Sequence, residues 1–178
     1  MSMSMAAMPL VLTTAGHSLT LISLAVTIHV LGMFAFSIPL GRLVDRVGRT
    51  KVIWGGLVTS AAGGLLMPMT EIYGPITFGG FLFGVGWSAV FVAATAIIAD
   101  ATPVEQRGRA IGLNDTTASL FTIALPITGG VIAEQFGLMA VGLFAVVLTM
   151  LPMPLLMRLR ETSPGHFEDA EEESAAVS

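Results

Sequence analysis

Charged residues are concentrated between residues 41 and 51 of this chain, in the segment Gly-Arg-Leu-Val-Asp-Arg-Val-Gly-Arg-Thr-Lys. Apolar sequence flanks the segment on both sides, and it holds four of the eight Lys and Arg residues. Its one acid, Asp45, can pair with a neighbouring guanidinium or face the positive N-terminal end of a helix. The chemistry available to these residues is therefore ion pairing rather than bond making.

Three further polar or aromatic residues lie inside apolar stretches. Asp115 lies about 9 Å along a helix from the nearest arginine, where an ionisable group is costly unless it is paired or hydrated. It can carry a proton or contact a cationic substrate, or it can accept hydrogen bonds from Thr116, Thr117 or a neighbouring helix. For His29, which changes charge near neutral pH, packing with one hydrogen bond is favoured over proton coupling. For Trp87, helix packing is favoured over lining a pathway.

The composition is that of a membrane protein. The chain is 54% hydrophobic and 11% charged, whereas a soluble domain has about a quarter charged residues. Cysteine is absent, which excludes disulfides and thiolate metal sites, and we expect no metal and no cofactor. The net charge of −4 comes from residues 161–178, which hold six acids and no Lys or Arg and are expected to form a disordered cytoplasmic tail. No cleavable signal peptide is expected, because no Lys or Arg precedes the first apolar run.

The apolar segments predict an all-α integral membrane protein, in which residues 1–160 form a bundle of six hydrophobic helices. The first helix would reach only about 20 Å, which is short of the hydrocarbon core of about 30 Å, so it is a partial span. Glycines and Pro126 are expected to interrupt the fifth helix. The predicted spans are about 1–13, 19–40, 52–69, 76–98, 110–133 and 138–157.

The distribution of charge predicts the orientation. All eight cations fall on one face of the predicted bundle, in the two loops 41–51 and 100–109 and after the last span. Glu71 and Glu134 mark the other face. Because Lys and Arg prefer the cytoplasmic side of a membrane, we expect both loops and the C-terminus to be cytoplasmic.

The spacing of fixed residues between 41 and 51 resembles the signature loop of the major facilitator superfamily of secondary transporters. The family pattern is Gly-x-x-x-Asp-Arg-x-Gly-Arg followed by two basic residues, and only Thr50 departs from it. The resemblance implies that Asp45 holds a cytoplasmic gate closed by facing a helix N-terminus in the other half of the transporter. A local ion pair of Asp45 with Arg46 or Arg49 is the alternative. The signature positions are Gly41, Asp45, Arg46, Gly48, Arg49 and Lys51.

The next basic loop resembles a second part of this gate. Arg49 and Asp100 are expected to pair across neighbouring helix ends, as acid–arginine networks do in the family. Arg107 and Arg109, following Pro103, resemble the family's loop before the fifth or eleventh span. A surface ion pair contributes little by itself, so the alternatives are a pair without a gating role and a loop that only sets topology.

Complete members of the superfamily have twelve spans in two six-span halves. The resemblance covers nearly all of this chain, and two stretches, His29–Met33 and Gly112–Asp115, are similar to second halves of bacterial drug-efflux-like members. The polar tail after the sixth span also favours a second half. Pro126-x-x-Gly129-Gly130 favours a first half, because it resembles a motif of drug–proton antiporters, although Leu125 replaces the expected glycine.

The resemblance implies a secondary active transporter of small molecules, an efflux protein of the bacterial plasma membrane with possible proton coupling, and no enzyme activity. The expected partners are the lipid bilayer, a missing six-span half or a second copy, and an unidentified substrate, with no nucleic acid. A non-transporting membrane subunit is the structural alternative. An intramembrane serine protease is the enzyme alternative, because Gly86-Trp87-Ser88-Ala89 resembles Gly-x-Ser-Gly; Ala89 breaks that motif, and the sixth span has no histidine to act as a base.

Overall fold

The computed structural model describes residues 2–151 and 153–156, with side chains from residue 7 to 151 and at 153 and 154. These residues are helical apart from short connections, which confirms the all-α class. Two 3-10 turns, Met67–Met69 and Val104–Gln106, lie between helices. The predicted tail, residues 161–178, lies outside the described residues. The helices are α1 Ser2–Thr14, α2 Leu19–Phe34, α3 Ser37–Val47, α4 Arg49–Leu66, α5 Tyr73–Asp100, α6 Arg107–Phe136, α7 Leu138–Met150 and α8 Met153–Leu156.

Four helical stretches in the described chain are long and apolar enough to cross a membrane: Leu19–Val47, Arg49–Met69, Tyr73–Asp100 and Val104–Phe136. Helix α1, Ser2–Thr14, lies within one residue of the predicted range 1–13. Helix α7 is shorter than predicted, because it ends at Met150 rather than continuing toward residue 157. The sequence has prolines at 152 and 154, and proline lacks the amide hydrogen that would continue the helical ladder.

Both predicted loops with arginines are much shorter in the structure. Helix α3 continues to Val47 and α4 begins at Arg49, so the chain leaves the helical conformation only at Gly48, where φ is 105°. This left-handed conformation is accessible to glycine without steric cost, which lets one residue make the corner. In the second loop, α5 extends through Asp100 and α6 already begins at Arg107. The prediction of a loop over residues 41–51 is therefore wrong, whereas the loop predicted over 100–109 is present but limited to residues 101–106.

Two prolines, Pro39 and Pro126, affect their helices differently from what the sequence predicts. The second span was predicted as one helix, but it breaks at Ala35 and Phe36. Pro39 explains the break, because its ring conflicts with the carbonyl of Ala35, four residues earlier. In contrast, Pro126 was expected to interrupt the fifth span, and α6 runs continuously past it from Arg107 to Phe136.

Glycine contacts hold α4 and α5 together. A Cβ atom built at Gly56 would lie 2.7 Å from the carbonyl oxygen of Gly86 and 3.0 Å from Ala89 Cβ. A Cβ at Gly63 would clash with the carbonyl oxygen of Gly79. Small residues at such positions let two helix backbones approach closely, which favours association inside a membrane. The α4–α5 pair is therefore the most tightly packed unit of the fold.

Helix α2 packs on another side of α5, and together these helices complete the core. A Cβ at Gly84 would lie 2.5 Å from the carbonyl oxygen of His29, which shows how closely the two backbones approach. One buried cluster, which includes Leu12, Ile76 and Phe83, lies toward the Glu71 end of the bundle. A second, which includes Val44, lies toward the end that carries Arg49, Asp100 and Arg107, here called the arginine end.

Helix α6 is attached to the bundle along little of its surface. Gly129 is its only buried residue, and large apolar side chains project outward along most of its length. They are Leu113, Leu120, Phe121, Ile123, Ile127 and Val131. In the described part of the chain, α6 therefore packs mainly through its C-terminal half, against α1 and α7.

The close packing of α4 and α5 can be tested with two matched glycine substitutions. We expect Gly56→Ala to lower the stability of the protein by about 1–3 kcal/mol, because the new methyl group forces α4 and α5 apart. Gly55→Ala is the control, since nothing lies within 4 Å of that position, and it should be neutral or slightly stabilising. Thermal unfolding in detergent measures both. Equal unfolding temperatures for the two variants would contradict the packing described here.

Candidate functional site

Arg49 joins three helix ends. Its side chain is only 5% exposed, although it is the first residue of α4. The Nε–H group donates to Oδ2 of Asp100, the last residue of α5, at 2.9 Å. A terminal guanidinium nitrogen also lies 3.7 Å from Oδ1 of Asp45 in α3. The predicted pairing of Arg49 with Asp100 is thus present, and the predicted local pairing of Asp45 is present with Arg49.

The two carboxylates differ in environment. The Asp100 side chain is 12% exposed, whereas that of Asp45 is 68% exposed. A carboxylate at the negative C-terminal end of a helix is unfavourable by itself, so the guanidinium of Arg49 offsets a repulsion at the end of α5. The longer contact to Asp45 is a solvent-exposed ion pair, which contributes about 1 kcal/mol or less. Asp45 can therefore exchange partners at little cost, while Asp100 cannot.

Arg107, from α6, also contacts the C-terminal end of α5. Its Nε–H group donates to the carbonyl oxygens of Ala99, at 2.9 Å, and Thr102, at 3.2 Å. A cation at a helix C-terminus is favourable because it meets the negative end of the helix dipole. The end of α5 is thus held by one arginine from α4 and one from α6. Arg109, predicted as part of the same network, is exposed.

The remaining signature residues make fewer contacts. Gly41 lies within α3, and a Cβ there would meet nothing within 4 Å, so no described helix requires a glycine at this position. Arg46 and Lys51 are exposed, and neither forms an ion pair within the described part of the chain. Of the signature residues, only Asp45, Gly48 and Arg49 lie close to one another in the structure.

Asp115 lies on the exposed surface of α6. The amide nitrogen of Asn114 donates to its Oδ1 at 3.3 Å. The hydroxyls of Thr116 and Thr117 donate instead to the backbone carbonyls of Gly112 and Leu113, so neither forms the hydrogen bond to Asp115 that one of the alternatives proposed. Asp115 is thus away from the arginine network, and its predicted role in transport stays a prediction.

His29 is buried between α2 and α5. Its Nδ1 lies 2.7 Å from the carbonyl oxygen of Gly80, and because a carbonyl only accepts, Nδ1 carries the proton. Its Nε2 has no hydrogen-bond partner among the described residues. This geometry matches the packing alternative, and a role in proton coupling stays a prediction.

Trp87 is half-buried and contacts two other aromatic rings. The ring of Phe91 stacks on it with 4.9 Å between centroids, and Phe34 of α2 meets it edge-on at 6.4 Å. Sequence reasoning singled out Trp87 but missed its partners. The spacing of Trp87 and Phe91, four residues apart on one helix, could have revealed the first pair. Nothing local in the sequence indicates the contact with Phe34.

Comparisons with known proteins agree with this geometry. The sequence profile of the Major Facilitator Superfamily matches residues 1–178. The chain is 31% identical over 171 residues to the riboflavin transporter RfnT of Brucella anthropi, which covers 90% of this chain and 40% of that protein. It is 32% identical over 162 residues to the inner membrane transport protein YajR of Escherichia coli, covering 88% of this chain and 35% of that protein.

A third relative is more distant. The riboflavin transporter RibZ of Clostridioides difficile is 27% identical over 140 residues, covering 74% of this chain and 31% of that protein. The chain therefore spans well under half the length of these relatives. The profile match, the apolar membrane-length helices and the relatives together identify an integral membrane protein of a transporter family rather than an enzyme. The chain belongs to the major facilitator superfamily.

Proposed function

We propose that this chain forms one six-helix half of a secondary transporter that moves a small molecule by alternating access. The observation that supports this most is the contact of buried Arg49 with two carboxylates, Asp100 and Asp45, from two other helices. One contact is short and shielded, and the other is long and exposed. Such a pair of contacts can bias a two-state gate, because the exposed partner can leave without stranding the buried charge.

In this mechanism Asp45 is the mobile member of the gate. It stays near Arg49 in one state of the transporter and faces a helix N-terminus of the opposite half in the other. An anion at a helix N-terminus gains roughly 0.3–2 kcal/mol, which is comparable to the exposed ion pair that it replaces. Arg49, Asp100 and Arg107 keep their contacts at the end of α5 in both states. Arg46, Lys51 and Arg109 are proposed to set orientation.

The arginine end is proposed to face the cytoplasm. The six cations of the described residues lie in the α3–α4 corner region or at the start of α6, and Glu71 and Glu134 lie near the other end of the bundle. Lys and Arg are retained on the cytoplasmic side during membrane insertion, which supports this orientation. We further propose a cytoplasmic C-terminus, because α7 begins after Gly137 and its last residue, Met150, packs in the cluster at the arginine end.

A second six-span unit is proposed to cover α6. Its exposed apolar side chains would suit lipid, but Asn114 and Asp115 on the same helix would be costly in hydrocarbon. A pathway between two halves would hydrate or pair these groups. The second half can belong to the same polypeptide or to another chain, and a second copy of this chain is the remaining alternative.

Riboflavin is the first substrate to test, because two relatives are named riboflavin transporters. Efflux, proton coupling through Asp115 or His29, and a plasma-membrane location are finer proposals that follow from the drug-efflux-like motifs. A non-transporting subunit is not favoured, since the similar proteins named above are transporters or transport proteins.

Reporter insertions test the orientation. We expect a reporter placed at residue 105 to give a cytoplasmic signal and one placed at residue 72 to give an external signal, because positive charge is retained inside. Alkaline phosphatase and a fluorescent protein provide complementary readouts. A third insertion at Gly137 serves as a control and should match residue 72. An external signal at residue 105 would reverse the assignment.

Two substitutions that each remove one negative charge distinguish the proposed mobile residue, Asp45, from the fixed contact at Asp100. Asp100→Asn should destabilise the protein by about 2–4 kcal/mol, because it removes the closest carboxylate from a buried guanidinium. Asp45→Asn should cost less than about 1 kcal/mol of stability, yet lower the transport rate at least about fivefold. Glu105→Gln is the control, since Glu105 is exposed at the same end of the bundle. Unchanged transport in Asp45→Asn, at matched protein amounts, would remove Asp45 from the gate.

Reconstitution tests the need for a second half. The 178-residue chain is expected to move no riboflavin in proteoliposomes by itself, because it supplies only one wall of the pathway. Transport should appear when a complementary six-span half is added, and uptake of labelled riboflavin measures it. Transport by the chain alone would argue against the two-half proposal. Transport of other solutes but not riboflavin would change the substrate only.

A further inference from the structure

One side of α4 carries a stripe of small and apolar residues that begins with a cation, here called the outer stripe. Its four members are exposed and recur at helical spacing: Lys51, Gly55, Val58 and Ala62. A Cβ atom at Gly55 would meet nothing within 4 Å, so no described residue covers the stripe at that point. The outer stripe therefore offers a shallow apolar surface with an ammonium group at the arginine end.

The length of the outer stripe matches one leaflet of a membrane. The segment from Lys51 to Ala62 rises about 16 Å, and half of the hydrocarbon core is about 15 Å thick. Trp54 is half-buried, one turn from Lys51, and tryptophan in membrane proteins is enriched at the interface between hydrocarbon and head groups. This placement puts Lys51 at the level of the head groups and the rest of the stripe along the acyl chains.

Arg46 supplies a second cation at the same end. It lies in the last turn of α3, Lys51 lies in the first turn of α4, and only the Gly48 corner separates the two helices. Both cations are exposed, and neither forms an ion pair within the described part of the chain. A cation near a membrane surface favours anionic over uncharged lipid by roughly a factor of five. The corner thus carries positive charge that an anionic head group can neutralise.

The position of α4 in the bundle favours lipid over a protein partner. Helix α4 packs on α5 and α7, whereas the polar residues that are proposed to face a second half lie on α6. A soluble anion would use the cations and leave the apolar stripe bare. An apolar helix would cover the stripe and leave the cations without a counter-charge. A phospholipid with an anionic head group meets both demands, since its charge and its acyl chains are arranged in the same order as the surface.

We propose that the corner between α3 and α4 binds an anionic phospholipid. Its phosphate lies between Arg46 and Lys51, and one acyl chain follows Gly55 and Val58 along α4. Binding requires neither a substrate nor a second half. This inference is therefore independent of the proposed transport function.

Fluorescence of Trp54 tests the site. The chain contains two tryptophans, so Trp87→Phe leaves Trp54 as the only indole. The probe is phosphatidylglycerol with acyl chains brominated close to the head group, mixed into phosphatidylcholine nanodiscs that hold the 178-residue chain. Bromine quenches indole fluorescence on contact. We expect half-maximal quenching at a lipid fraction roughly tenfold lower than with brominated phosphatidylcholine, because two cations favour the anionic head group.

Matched substitutions assign the preference to the corner. Arg46→Gln combined with Lys51→Gln should remove it, because both proposed contacts with the phosphate are lost. Arg109→Gln is the control, since Arg109 is an exposed cation at the same end of the bundle but on α6, and it should retain the preference. With Trp54→Phe, the remaining Trp87 on α5 should be quenched equally by the two lipids.

Each alternative occupant has its own outcome. Equal quenching of Trp54 by the two lipids, or a preference that survives the double substitution, would overturn the site. Loss of the preference on adding soluble glycerol phosphate, but not chloride at equal ionic strength, would assign the cations to a free anion instead of a lipid. Val58→Cys introduces a single thiol, since the chain has no cysteine, and rapid disulfide formation between copies in phosphatidylglycerol nanodiscs would assign the stripe to a second copy. Failure of riboflavin transport would leave the lipid preference unchanged.

Discussion

Burying a guanidinium requires acceptors for its N–H groups, and the architecture of the arginine end follows from that need at Arg49. The glycine corner at residue 48 brings the end of α3 to the start of α4, so Asp45 and Arg49 lie one turn apart. Helix α5 extends until its last residue, Asp100, reaches the same guanidinium. Arg107 then donates to the carbonyl oxygen of Ala99, next to the last residue of α5. Four helices are thus joined where charge, rather than apolar surface, determines their relative position.

Packing within the bundle is uneven: α2, α4 and α5 pack closely, whereas α6 does not. Helices α4 and α5 approach through glycines until neither has room for a methyl group at the contact, and α2 approaches α5 almost as closely. Helix α6, in contrast, buries only Gly129 and is tied to α5 mainly through Arg107 and a short connection. In the proposed transporter, the closely packed α2–α4–α5 unit would move as one body between the two states.

The sequence predicts the helical class, the position of the first helix and the pairing of Arg49 with Asp100, because apolar runs and a distinctive charge pattern carry those signals. It does not predict the helix ends at the arginine end. Polar residues there were expected to form loops, yet they continue the helices and satisfy one another. Pro126 shows a similar limit, since its local preference to interrupt a helix did not prevail in α6. The cluster of Phe34 with Trp87 could not be predicted, because it depends on how α2 packs on α5.

The single-residue corner at Gly48 also determines where α3 and α4 can move relative to each other. Glycine has the widest choice of backbone conformations, so this residue is a hinge rather than a rigid joint. The first residue of α4 after this hinge is Arg49. The connection between α5 and α6, with several residues outside α-helices, can absorb an inserted peptide, whereas the corner cannot. A change in the angle between α3 and α4 therefore directly changes the distance between Asp45, in α3, and Arg49, in α4.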